Sequence, residues 1–472
     1  MKKLVVSMIF IAVPAFCFDI TIPDPNLKAH LVSNYDVGLD GEISIGEAWA
    51  VTGIIRCNSQ GIQDMAGITA FINAQGLNCS NNLLTSLPLL SSMTSLESLV
   101  CSGNSLLTLP DMSAMASLLE ITCYNNPLTS LPDLSGLTSL QTLNCSRCLL
   151  TSMPNLSMLG NLEDLDCSYN QLTTLPDLNM LGNLVNLSCS NNQITSLPDL
   201  SATINLQSLH CLSNRLMELP SLSALASLVS LSCGENLLTD LPDVSGLTNL
   251  RSVSFNDNQF TVFPNLNNLP SLEYLYCNGN QLTTLPGFTG LPALYSLSCQ
   301  DNLISSLPSL TSLTGLYFLK VDRNRLTTLP DLPDSLDTLE CSENYLTDLG
   351  DLSPLINLET LDCSYNFLSD LPDLNFLVGL YDLFCQYNLF VNLPDVSGLP
   401  NLDYYYIYNN LLDEGDCGDI QVVAAAVSSF EYDYQGNFAV HYQEFPEWTS
   451  TALILLDWVD DLNNTEVIIN CP

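Results

Sequence analysis

Four acids between residues 36 and 47 carry the first chemistry in this chain. Asp36, Asp40, Glu42 and Glu47 lie in DVGLDGEISIGE, and their spacing is that of a twelve-residue calcium loop. Asp36 stands at loop position 1, Asp40 at 5 and Glu47 at 12, where a carboxylate gives two oxygens. Gly41 permits the sharp turn, and Glu42 would offer its backbone carbonyl. Gly38 occupies position 3, where Asp or Asn belongs, so one ligand is missing and a calcium site here would be weakened. The same residues also read as a tight acidic turn between two helices that bury Ile43. Calcium is the one cofactor the sequence points to.

Other reactive groups are plentiful. There are 18 cysteines, and Cys145 and Cys148 form C-x-x-C, a spacing used in redox and zinc sites. Asp164 and Asp166 lie close enough in sequence to be a hydrolase carboxylate pair. The three histidines, His30, His210 and His441, have no triad partners around them. The elements that position these groups decide between readings. The segment NLEDLDCSYN at 161–170 has the form L-x-x-L-x-C-x-x-N, and it returns about every 22 residues. Numbered by the cysteine position, the copies fall at 57, 79, 101 and onward to 407, seventeen in all. Every step is 22 except that from Val321 to Cys341, which is 20.

Leu165 and Cys167 are two apart, so on a strand they share a face, here the inward one. Asp164, Asp166 and Ser168 then point outward. Asn170 turns the chain, and aligned asparagines in stacked coils can satisfy backbone groups that the turn leaves unpaired. Leu175-Pro176-Asp177 ends the strand side, since Pro cannot donate to a ladder and Asp suits a helix cap. The following stretch, such as LSGLTSL at 134–140, holds one or two helical turns at most. One coil cannot bury its own apolar edge, so stability comes from neighbours.

The period resembles that of leucine-rich repeats. The implied fold is an α/β repeat solenoid, a leucine-rich repeat horseshoe of about 17 coils. It has a parallel β-sheet on the concave face and short 3₁₀, helical or extended convex segments. In this register fourteen cysteines are inward core residues, with Phe255, Val321 and Ile407 in the same column. They read as a ladder of buried thiols, and Cys148 as a stand-in for the turn asparagine. Enzyme chemistry therefore recedes: carboxylate pairs arise freely in so acidic a chain.

Residues 1–15 read as a signal peptide: Lys2 and Lys3, an apolar run from Leu4 to Val13, and small residues at Val13 and Ala15. Phe16 before Cys17 is too large for a lipobox. Residues 19–50 form an amino-terminal cap, 51–410 the solenoid and 411–472 a carboxy-terminal cap, in which Cys417 and Cys471 would form a disulfide. No later stretch is long enough to span a bilayer. The expected location is secreted, cell surface or periplasm.

Fifty acids against ten bases give a net charge of −40. No basic stripe exists for nucleic acid or anionic membrane. The acidity serves solubility, or it attracts cations or a basic partner. The outward strand positions, three and one before the cysteine and one and two after it, change along the array. The middle copies carry Ser, Asn and Gly, whereas later ones carry Tyr274, Tyr276, Phe318, Tyr365, Phe384 and Tyr387. Glu340, Asp362 and Asp382 are interleaved with them. These nine residues are the candidate ligand site, since exposed aromatics concentrate at interfaces. Tyr404 to Tyr408 either joins them or packs under the end cap.

As a whole the chain resembles bacterial exported leucine-rich repeat proteins, loosely internalin-like, with an EF-hand- or dockerin-like acidic cap. That resemblance implies a non-enzymatic module that binds protein or glycan through the concave face. The alternatives are a structural surface or matrix protein that assembles with calcium, or a hydrolase.

Overall fold

The computed structural model describes residues 18–407 and 409–411. The expected signal peptide, Cys17, Tyr408, the Cys417–Cys471 pair and all of the carboxy-terminal cap but Leu411 lie outside the described residues. The chain divides into two compact units, Met1–Leu228 and Val229–Pro472.

The first unit opens with helix α1, Pro25–Tyr35, and helix α2, Ile45–Ala50. Asp24 caps α1, its Oδ1 accepting from the backbone N–H groups of Asn26 and Leu27. Its Oδ2 accepts from those of Gln63 and Asp64 in the first coil. Burial alone would raise this carboxyl, but the four backbone donors outweigh it and hold it below the ordinary aspartate range. Leu27 and Leu31 of α1 and Ile43 of the loop are buried, as their spacing requires, whereas His30 is only half-buried.

Behind this cap the first unit carries eight three-residue strands, from Ile54–Arg56 to Ser208–His210. The second unit carries nine, from Ser230–Ser232 to Tyr404–Tyr406. Within each unit, neighbouring strands pair parallel and in strict register. Thr142 lies beside Asp164 and Asp164 beside Asn186; in the second unit Tyr274 lies beside Ser296, and Ser296 beside Phe318. Central leucines such as Leu165 and Leu275 are buried, so each strand has one core face and one open face.

On the far side of each coil, leucines recur every third residue. Leu134, Leu137 and Leu140 are all buried. They are joined by two successive turns, Leu137 N–H to the Leu134 carbonyl (2.9 Å) and Leu140 N–H to the Leu137 carbonyl (3.0 Å). A three-residue period suits 3₁₀-type turns, whose side chains eclipse at i and i+3. Asp133 starts the run by accepting from the N–H and hydroxyl of Ser135. The 20-residue coil keeps one such turn, Leu336 N–H to the Pro333 carbonyl. Its two missing residues come from this side, and strand pairing from Phe318 to Thr338 continues unbroken.

All fifteen cysteines in the described coils are reduced and buried. Burial in an apolar stack pushes the thiols up, those of Cys57 and Cys233 to about 12. Beside them runs a ladder of asparagines. Asn170 donates to the carbonyls of Cys145 (3.0 Å), Cys167 (3.0 Å) and Ser168 (3.1 Å), and its Oδ1 accepts from Leu150 N–H (3.0 Å). Where Cys148 replaces asparagine, its thiol points at the carbonyls of Cys123 (3.6 Å) and Ser146 (3.5 Å). The C-x-x-C is thus one core thiol and one turn residue, and the two thiols are not bonded to each other.

The residue after the cysteine is buried at Ser168, Ser342 and Ser364, whereas Tyr124 in the same place is 40% exposed. The residue that follows turns the chain: Tyr169, Glu343, Tyr365 and Tyr387 all have φ between 51° and 56°, a left-handed conformation. The Ser168 hydroxyl then bonds Asp166 Oδ1 at 2.6 Å. Gly103 and Gly279 hold the same place in their coils at φ 64° and 63°. Among the described residues no helix is long and apolar enough to cross a membrane.

Candidate functional site

Three-residue strands cannot bend their side chains away from the open face, so the columns there are fixed by the ladder. In the second unit the structure gathers the candidate aromatics into groups. Tyr274 stacks on Tyr276 (centroids 6.4 Å apart, planes at 17°) and meets Tyr295 edge-on at 6.0 Å. Tyr295 stacks on Tyr317 at 5.2 Å and touches Phe318 at 5.4 Å, and Tyr317 meets Phe318 at 4.9 Å. Five rings therefore form one continuous cluster. Tyr365 and Tyr387 form a second, stacked at 4.1 Å and 12°. Phe384 stacks on Tyr406 at 5.1 Å, and Tyr381 lies 5.7 Å from Tyr404. Tyr365, Tyr381, Tyr387 and Tyr274 are the most open of these rings, at 46, 44, 38 and 36% exposure.

Two of the five clustered rings, Tyr295 and Tyr317, belong to a column absent from the sequence-derived list. They stand four before the core position, immediately ahead of the strand. Tyr381, Asp337, Glu359 and Asp403 share that column. The tyrosine hydroxyls there bond the next acid along, Tyr317 to Asp337 and Tyr381 to Asp403. Donating to a carboxylate pushes both phenols up to about 12.

The acids are placed unequally. Glu340 is occupied, its Oε1 lying 2.6 Å from Lys320 Nζ. Asp362 is half-buried on the neighbouring strand; its Oδ1 accepts from the N–H (3.0 Å) and hydroxyl (2.6 Å) of Ser364. Burial raises its carboxyl, with Asp322 and Glu340 adding repulsion, and the Ser364 bonds only partly oppose this. Burial also raises Asp382, helped by Asp403 and Glu359 and opposed by the Thr360 hydroxyl at 3.2 Å. Arg323 is held between Asp301 and Glu343, and Arg251 pairs with Glu273. The face therefore offers flat rings beside carboxylates that are poorly neutralised.

The acidic loop of the cap folds as a closed turn. Asp36 accepts from the N–H groups of Leu39 and Gly41, and Asp40 from that of Glu42. Glu47 accepts from Val37, Gly38 and Ser44 N–H groups and the Ser44 hydroxyl, each at 2.8 Å. These donors pull its carboxyl down to about 2. The Glu42 side chain turns away to pair with Lys28. A Cβ added at Gly38 would lie 3.5 Å from Glu47 Oε1, 3.7 Å from Asp36 Oδ1 and 3.7 Å from Asp40 Oδ2. Oxygens of loop positions 1, 5 and 12 thus all lie near Gly38, but among the described residues no three acids, cysteines or histidines are placed to hold a metal.

The family model for leucine-rich repeats in two copies matches residues 160–202, 248–291 and 334–376. Comparison with curated proteins gives no match. Among solved structures, a leucine-rich repeat protein of Leptospira interrogans, LIC12759, is 27% identical. The match covers 83% of this chain and 97% of that one, with a TM-score of 0.67. The functional domain of InlJ from Listeria monocytogenes, described as including a cysteine ladder, is 28% identical over 79% and 81%, with a TM-score of 0.69. YopM from Yersinia enterocolitica is 31% identical over 77% and 83%, with a TM-score of 0.59.

Proposed function

The chain belongs to the leucine-rich repeat proteins, and from that premise we propose that the open face of its second unit binds a protein ligand bearing cationic groups. The observation that carries this reading is the juxtaposition of ring clusters with raised, unneutralised carboxylates at Asp362 and Asp382. Rings held on paired strands lose little side-chain freedom on binding. They supply contact area, and the acids select charge and steer the encounter. No catalytic role is assigned. The same reading has the protein exported, with a mature chain that begins after Ala15, which mass spectrometry of secreted material would check.

The test is a binding screen of the purified chain against basic and acidic proteins and a glycan array. A variant carrying Tyr274→Ser, Tyr365→Ser and Tyr387→Ser is screened beside it. The expected result is a basic protein hit, lost at least tenfold in the variant while its melting temperature stays near the parent's. A glycan hit, or an unchanged variant, would overturn the assignment.

A second reading concerns the cap. We infer that calcium binding rearranges this loop so that Asp36, Asp40 and Glu47 turn toward one ion, releasing the Val37 and Gly38 donors from Glu47, with the Glu42 carbonyl as a further ligand. The gathering of the three carboxylates around Gly38 and their loop spacing favour it. Calcium-dependent self-association, read by light scattering, would favour the structural-matrix alternative instead.

A further inference from the structure

The open face of the first unit carries a different feature. A hollow of about 240 Å³ lies over the strands Thr142–Asn144, Asp164–Asp166 and Asn186–Ser188, closed at one side by Ser208 and His210. No tyrosine or phenylalanine lines it; its one ring is the His210 imidazole. Its charged groups are Asp164 and Asp166, two residues apart on one strand and therefore on the same face, roughly 6.6 Å apart along the chain.

Each carboxylate is only partly engaged. Asp164 Oδ1 accepts from the Asn186 amide. Asp166 Oδ1 accepts from the N–H (3.0 Å) and hydroxyl (2.6 Å) of Ser168. Among the described residues neither is ion-paired. The basic residue of the adjoining coil, Arg147, lies over the Tyr169 ring, 4.2 Å from its centroid. Both carboxylates are half-buried, where a charge interacts more strongly than in open water.

We propose that this hollow seats the guanidinium of a single arginine presented by a protein partner. The volume is below the usual range of about 300–1,000 Å³ for small-molecule pockets, and it suits one side chain. Two fixed carboxylates demand donors and positive charge. A guanidinium supplies five N–H donors in a rigid plane, is always charged and is weakly hydrated; it can span both acids, whereas an ammonium is a point charge. Calcium needs about six or more oxygens at 2.3–2.6 Å, and no such set converges here. The hollow shares no residue with the aromatic site assigned to the second unit, so the two assignments can fail separately.

The experiment titrates the full chain with the peptide acetyl-Gly-Ser-Arg-Ser-Gly-amide. Two control peptides replace the arginine by citrulline, which keeps the shape and loses the charge, or by lysine. Binding is followed by NMR. The arginine peptide should bind at least tenfold more tightly than either control. Asp164→Asn with Asp166→Asn should reduce that preference to less than twofold. Asp111→Asn with Asp133→Asn, an equal charge change at the turns on the far side of the coils, should retain it. If the double variant at the hollow is poorly folded, the two single variants are used and each should lose part of the preference. Equal binding of the arginine and citrulline or lysine peptides, or an equal loss in both double variants, would overturn the proposal.

Discussion

Tyr365 and Tyr387 show how one residue can serve the face at a backbone cost. Each sits at positive φ, 51° and 56°, where a side chain with a Cβ is strained by roughly 1–2 kcal/mol. Glycine relieves this, which reverses its usual disadvantage. Tyr365→Gly and Tyr365→Ala remove the same ring from the stack on Tyr387, so ligand binding should fall equally in both. The glycine variant should nonetheless be more stable than the alanine variant by about 1 kcal/mol in denaturant melts. Equal stabilities would argue against the left-handed turn. The signal was present in the sequence, since Gly103 and Gly279 stand at this place among asparagines and aspartates. In the sequence alone the neighbouring asparagine accounts for the turn equally well, so the left-handed residue beside it is not singled out.

At the level of the element, the strand was legible because leucine and cysteine two apart leave no choice of face. Its boundary was not. Tyr295, Tyr317 and Tyr381 precede the strands by one residue and belong to the same open face, yet an L-x-x-L reading assigns that first variable position to the return loop. With the coils aligned by their cysteines, the three tyrosines fall in one column, four before the core position. The cap loop gives the prediction at this scale. Glu47 closes the turn through four donors, and its carboxyl is pulled down to about 2. Its folded value lies below the unfolded one, so its stabilisation is present at neutral pH and is lost as pH falls toward 2. Calcium should slow proteolysis between α1 and α2, and Glu47→Gln should abolish that effect. An identical cleavage pattern with calcium and with chelator would remove calcium from the account.

For the whole molecule, the 22-residue period alone sets the number of strands and the column of core thiols. The grouping of rings into clusters was not readable, because it depends on rotamers across neighbouring coils. The thiols have a collective effect. Their folded values are raised, so the stability they allow is full below the unfolded value near 9.0 and is lost as pH rises above it. At pH 10 each exposed thiol favours the unfolded chain by roughly 1.4 kcal/mol. Over the thirteen thiols that burial raises the sum is roughly 18 kcal/mol, more than the net stability of an ordinary domain. Circular dichroism should show a steep loss of structure near pH 10, and replacing four core cysteines by valine should move it upward. A gradual decline, unmoved by those replacements, would contradict the buried ladder.

The asparagine ladder has a direction. Asn170 satisfies a carbonyl and an N–H of the coil before its own, and the same holds from Asn82 onward. A coil emerging during synthesis is therefore unfinished until the next 22 residues follow, and each newcomer seals its predecessor. Growth from the first coil toward the last leaves only the newest turn with unmade bonds at any moment. Ribosomal order and bonding order coincide, and a chain released early would carry its defect at its carboxyl end alone.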